Sequence, residues 1–159
     1  MMRNWVVALG ALAVVSLGSF WLWTRAAGGT TPVHVTPASE RLRTEDGFVS
    51  YGRFEARGRV LRDMGIDEER GSRTLLIIAD PQQQPLNTYQ VFQDRGMYMV
   101  STSYERIPFA KLEVFNPSAL PAVQPGDVLS VSGSYGEYSK GTLTTSVPGL
   151  DIFVVRIDE

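Results

Sequence analysis

The chain of 159 residues contains no cysteine and a single histidine. Without thiols there is no disulfide framework, no cysteine-ligated zinc and no thiol nucleophile, and one imidazole cannot supply a histidine pair for a metal. His34 has no second ligand at metal spacing and reads as an incidental exposed side chain. Catalytic signatures are missing too: no Gly-rich phosphate loop follows a strand pattern, and no Gly-x-Ser-x-Gly elbow occurs. Fourteen acids lie beyond residue 47, yet their spacing singles out no carboxylate pair, and the acidic run Asp63 to Arg70 lacks the order of a calcium loop. Charge is nearly balanced, 15 Lys and Arg against 17 Asp and Glu, so bulk electrostatics draws the protein to neither nucleic acid nor an anionic surface. The first 47 residues carry four arginines and three acids, which leaves the remainder at −3. These absences point away from an enzyme, and they imply neither a cofactor nor a metal site.

What is there begins with one long apolar run. Trp5 to Trp23 holds 19 residues with no charge and only two serines. As a helix it is about 28 Å long at 1.5 Å per residue, enough for a bilayer core. Arg3 precedes it and Arg25 follows, with the terminal amine tipping the balance so that the amino terminus lies in the cytoplasm. The expected anchor is therefore one transmembrane helix within residues 1–25. Cleavage as a signal peptide is the rival, because Ala26, Ala27 and Gly28 are small; bulky Trp23 and charged Arg25 crowd that site. No cysteine follows the run, so a lipid-modified lipoprotein is excluded. Both readings place the domain outside the cytoplasm, periplasmic or extracellular.

Residues 26–47 are rich in Gly, Thr, Pro and charge with no apolar period, the composition of a flexible tether. From residue 48 to 159 the period is close to two, and no sustained helical period appears after residue 25. In Tyr51 to Arg62, Phe54, Ala56, Gly58 and Val60 share one face, and Arg53, Glu55, Arg57 and Arg59 share the other. Gly58 in mid-strand marks a bulge or strong coiling. Asp63 to Ser72 is an expected turn. Arg73 to Asp80 is almost wholly apolar, as a central strand is. A hairpin follows, Thr88 to Gln93 with Met97 to Tyr104, turning at Asp94-Arg95-Gly96. Phe109 to Phe115, Val128 to Tyr135, Thr142 to Val147 and Asp151 to Ile157 complete the strands. Either face of Phe109 to Phe115 could be the buried one. Asn116 to Gln124 leaves room for at most one helical turn between its prolines. Ile77, Leu129, Val131 and Phe153 are the expected core.

The order of these pieces resembles the OB-fold superfamily, the five-stranded Greek-key barrel. It is carried by a Gly-interrupted first strand (YGRFEARGRVLR), a second ending in Asp (TLLIIADP) and a third (KLEVFNP). A Pro-Gly-Asp entry then opens the fourth strand (PGDVLSVSGSY), and a terminal strand closes the series (DIFVVRI). The likeness covers about residues 50 to 157. It implies an all-β protein, a small five-stranded OB-like barrel with an inserted hairpin, preceded by one transmembrane helix. Two departures stand out. Gln82 to Ile107 is long for a loop between strands two and three, and Asn116 to Gln124 is too proline-rich for a full capping helix.

On that resemblance, binding belongs to the loop Tyr135 to Gly141, with Tyr135, Tyr138 and Lys140, and to the third-strand face, with Phe109, Lys111 and Phe115. The stripe Arg53, Arg57 and Arg59 is a further docking candidate, although cross-strand ion pairing explains it more simply. The expected function is a membrane-anchored, extracytoplasmic, non-catalytic binding or assembly module whose partners are envelope or membrane proteins. A single-stranded nucleic-acid-binding OB domain is the alternative, disfavoured by the acidic domain and by Asp63, Asp67, Glu68 and Glu69 in the first loop. The architecture is also similar to the anchored haem chaperones of cytochrome c maturation. That family attaches haem through a His followed by a Tyr after the barrel, where this chain has only Asp158-Glu159.

Overall fold

One long strand organises the domain. The computed structural model describes residues 31–94, 97–102, 106–138 and 152–159, and within them β2 (Phe48–Asp67) runs for 20 residues. Phe54, Ala56 and Val60 are buried on its inner side while Arg53, Glu55 and Arg57 face water. β1 (Val33–Arg43) and β3 (Ser72–Ile78) are both antiparallel neighbours of β2. They meet at Gly58, where a Cβ would lie 2.8 Å from the Ile78 carbonyl oxygen and 3.1 Å from Pro32. Only a residue without a side chain lets the two approach there.

Residues 33–43, expected as tether, are thus a strand. Its pairing runs Val33 with Ala56 to Pro37 with Gly52, breaks, and resumes at Leu42 with Ser50. The reason it escaped the pattern is physical. Only Val33 is buried, so an edge strand wetted on both faces shows no alternation, and Pro37 is tolerated next to its irregularity. β2 also continues through Met64 to Asp67, which were expected in the turn.

After β3 comes a hairpin of β4 (Gln90–Asp94) and β5 (Met97–Ser101), a separate two-stranded sheet. Next are β6 (Phe109–Val114), β7 (Val128–Tyr138) and β8 (Ile152–Ile157). β3 pairs with β6, β6 runs parallel to β8, β8 pairs with β7, and β7 returns to β2, so five strands close into a ring with β1 as a sixth on the β2 edge. The described residues are all-β. Between β6 and β7 there is a single 3-10 turn, Pro117–Ala119, which delivers Leu120 into the core without a helix. Among the described residues no helix is long and apolar enough to cross a membrane. Trp5 to Trp23, Lys140 and the expected strand Thr142 to Val147 lie outside the described residues.

Inside the ring, Phe54, Val60, Leu75, Ile77, Leu112, Val114, Leu129 and Val155 form the main core, with Val131 and Phe153 half-buried against it. Ile77→Val should cost about 1 kcal/mol in denaturant unfolding; a neutral result would place Ile77 outside the packed interior. Both faces of β6 are covered, because the hairpin lies on its outer side. There Leu76, Ile78, Tyr89, Val100 and Phe109 form a second cluster, flanked by Leu61, Val91 and Ile107.

A clamp of charges holds the root of this hairpin. The Arg59 guanidinium pairs with Asp80, donates to the Gln84 carbonyl and lies 5.9 Å from the Tyr89 ring centre. Burial pushes the Tyr89 hydroxyl up to about 12, aided by the Asp80 carboxylate beside it. Tyr89 Oη makes no hydrogen bond of standard geometry, although it faces the Asp80 carboxylate and, with Arg59, favours its charged form. Across the sheet, buried Glu113 accepts from Arg70 at 2.9 Å and from Ser72 at 3.3 Å, so its charge is compensated.

Candidate functional site

Aromatic side chains meet in two pairs at strand ends. Tyr135 and Tyr138 belong to β7, which continues as a strand through Tyr138 where a loop was expected. The β2–β7 ladder sets Gly52 opposite Tyr135 and Phe48 opposite Tyr138. Tyr51 of β2 meets Tyr135 edge to face, with ring centres 6.4 Å apart and planes at 78°. Phe115, just past β6, stacks on Tyr138 at 4.6 Å and 26°. All four rings are half-buried, so each has both a packed side and a wet side.

Two charged groups sit against Tyr51 of the first pair. The irregular stretch of β1 between Pro37 and Leu42 brings the Arg41 guanidinium 4.8 Å above the Tyr51 ring, a cation–π arrangement. Burial raises the Tyr51 hydroxyl above its ordinary range, the Glu137 carboxylate adds to this, and Arg41 opposes it. The turn into β2 is tied down beside them. Thr44 donates to Asp46 and holds that carboxyl below the usual range, with Arg156 as a further partner. Asn116 clasps the main chain of Ile157, donating from Nδ2 at 2.7 Å and accepting at Oδ1 at 2.9 Å, which fixes the segment that carries Phe115.

The other expected site residues lie elsewhere. Phe109 is buried beneath the hairpin and offers no stacking surface. Lys111 is half-buried on β6, with Leu76 and Ile152 as ladder partners. The arginine stripe divides: Arg53 pairs with Asp158, Arg59 is the hairpin clamp, and Arg57 remains exposed. Arg41 and Tyr51 were not anticipated. Arg41 stood in the supposed tether, and Tyr51 begins a strand whose alternation assigns it no partner. Among the described residues no group of His, Asp and Glu is placed to hold a metal ion.

Between them the two pairs offer ring faces, three phenol hydroxyls, one guanidinium and one carboxylate, a composition suited to holding a surface. The chain matches no protein-family model, no curated protein and no solved structure.

Proposed function

We propose that the protein is a non-catalytic binding module, held at a membrane by Trp5 to Trp23 with its domain outside the cytoplasm, and that it captures envelope or membrane proteins through the Tyr51, Tyr138 and Arg41 patch. The observation that carries this reading is the presence at strand ends of two half-buried aromatic pairs, one of them capped by a guanidinium. The ring supports the further reading of an OB-type barrel. Its order, β2-β3-β6-β8-β7 returning to β2 with β6 and β8 parallel, is the one expected of a five-stranded Greek-key barrel of that type. In such a barrel the outer face of β3 and β6 is the usual binding surface. Here the hairpin covers much of it, which directs binding to the exposed strand ends and argues against base stacking on Phe109.

Tyr138→Ser combined with Arg41→Ser should reduce partner capture on the order of tenfold, while the thermal midpoint shifts little, since aromatic and arginine anchors dominate interfaces. Tyr135 is left intact because it packs against the core. Unchanged capture by the folded double variant would refute the patch. In a salt titration with labelled single strands, tight and steeply salt-dependent binding would instead favour the nucleic-acid reading.

A further inference from the structure

On the outer face of β1, β2 and β7, away from the aromatic patch, lies a groove of about 460 Å³ lined by His34, Glu55, Arg57, Ser130 and Ser132. Its volume is in the range of small-molecule sites. The ladder sets His34 opposite Glu55, Glu55 opposite Ser132 and Arg57 opposite Ser130, so these side chains share one face. Neighbouring charges are already satisfied. Arg53 is paired with Asp158, which also accepts from Ser132 Oγ at 3.1 Å. Glu55 and Arg57 are exposed and, among the described residues, neither makes a close ion pair, although Glu55 lies in the field of Arg53. Two residues apart on one strand, they sit about 7 Å from each other along it.

We propose that this groove binds the phosphoethanolamine headgroup of a membrane lipid. A guanidinium beside a carboxylate complements a ligand with one anionic and one cationic end. A phosphate takes several donors at once, which Arg57, His34 and Ser130 supply. A primary ammonium takes acceptors, which Glu55 and the serine oxygens supply. No Phe, Tyr or Trp lines the groove, so it lacks the cage that a quaternary ammonium requires. Location supplies the source of the ligand. Arg57 N donates to the Pro32 carbonyl at 2.8 Å, and Pro32 is nine residues beyond Trp23, at most roughly 30 Å of extended chain. The groove is therefore within reach of the bilayer surface; this step rests on the anchored reading above.

The test uses the full chain in a maltoside detergent, which carries no phosphate, titrated calorimetrically with O-phosphoethanolamine, phosphocholine and inorganic phosphate. Saturable binding of phosphoethanolamine is expected, and Arg57→Gln and Glu55→Gln should each weaken it about tenfold, the loss of one charge-assisted contact. Phosphate binding as tightly, or Glu55→Gln strengthening the interaction, would make this a plain anion site and overturn the proposal. Phosphocholine binding equally well would overturn it too. In nanodiscs of phosphatidylcholine the soluble headgroup should still bind, and phosphatidylethanolamine in the disc should block it; binding undiminished in both refutes the lipid source. Carbonate extraction of the same protein separates the two readings. A chain that stays with membranes but ignores the headgroup defeats the groove alone, and one that binds the headgroup yet leaves the membrane defeats the anchor.

Discussion

Asp80→Ala is expected to destabilise the domain by about 3 kcal/mol, because it leaves the Arg59 guanidinium largely buried without its counter-charge. The side chains of the pair are 13% and 3% exposed, so solvent screens it little. The double variant Arg59→Met with Asp80→Leu should recover most of that loss, since an apolar pair needs no desolvation offset. Acid should act through the same clamp. Burial alone would raise the Asp80 carboxyl, but Tyr89 and Arg59 outweigh it and hold the group below the usual range. A depressed folded value means the contribution is fully present above the ordinary carboxylate range near pH 4 and is lost as pH falls through the lowered value. The protection factors of amides in β4 and β5, corrected for intrinsic exchange, should therefore fall in acid before those of the ring. Single and double variants equally destabilised in denaturant would show that Asp80 matters for a reason other than charge.

Gly136→Ala should cost at least about 3 kcal/mol, at or beyond the upper end of ordinary overpacking. A Cβ at this position would overlap the Val49 carbonyl oxygen and lie 3.1 Å from Ser50 Cα. Both obstacles are main chain, so no rotamer change relieves them. Relief requires β7 to move off β2, and that pairing closes the ring. The expected signature is a lowered unfolding midpoint with loss of amide protection along β2 and β7. Ser134→Ala, two residues away, should leave both nearly unchanged. A stable Gly136→Ala protein with intact protection would mean that the ring does not close through this contact.

The parts of the fold legible in the sequence are those where one face is dry and the other wet. Phe54, Ala56 and Val60 alternate with charged residues, and Gly58 announces the sharp approach that β1 and β3 make there. β1 itself was hidden because water reaches both its faces, and with it went Arg41. β6 was ambiguous for the opposite reason. Its outer residue Phe109 is covered by Tyr89 and Val100 of an inserted hairpin, a contact that no local period encodes. Arg53, Arg57 and Arg59 look alike in a string, yet each meets a different fate. Asp158 lies 105 residues from Arg53 and Asp80 lies 21 from Arg59, and only the ring's closure brings them together. Tyr135, Tyr138 and Phe115 were identifiable as aromatics near strand ends, while Tyr51, and the pairing of each ring with its partner, depend on strand pairing.

A photo-crosslinking side chain substituted in turn at Tyr138 and at Phe92, in intact membranes, tests the capture surface most directly. Phe92 is 47% exposed on the hairpin and serves as the comparison. The account predicts a discrete protein adduct from position 138, abolished by Arg41→Ser, and none from position 92. Adducts from position 92 alone, or adducts from position 138 to nucleic acid, would contradict it.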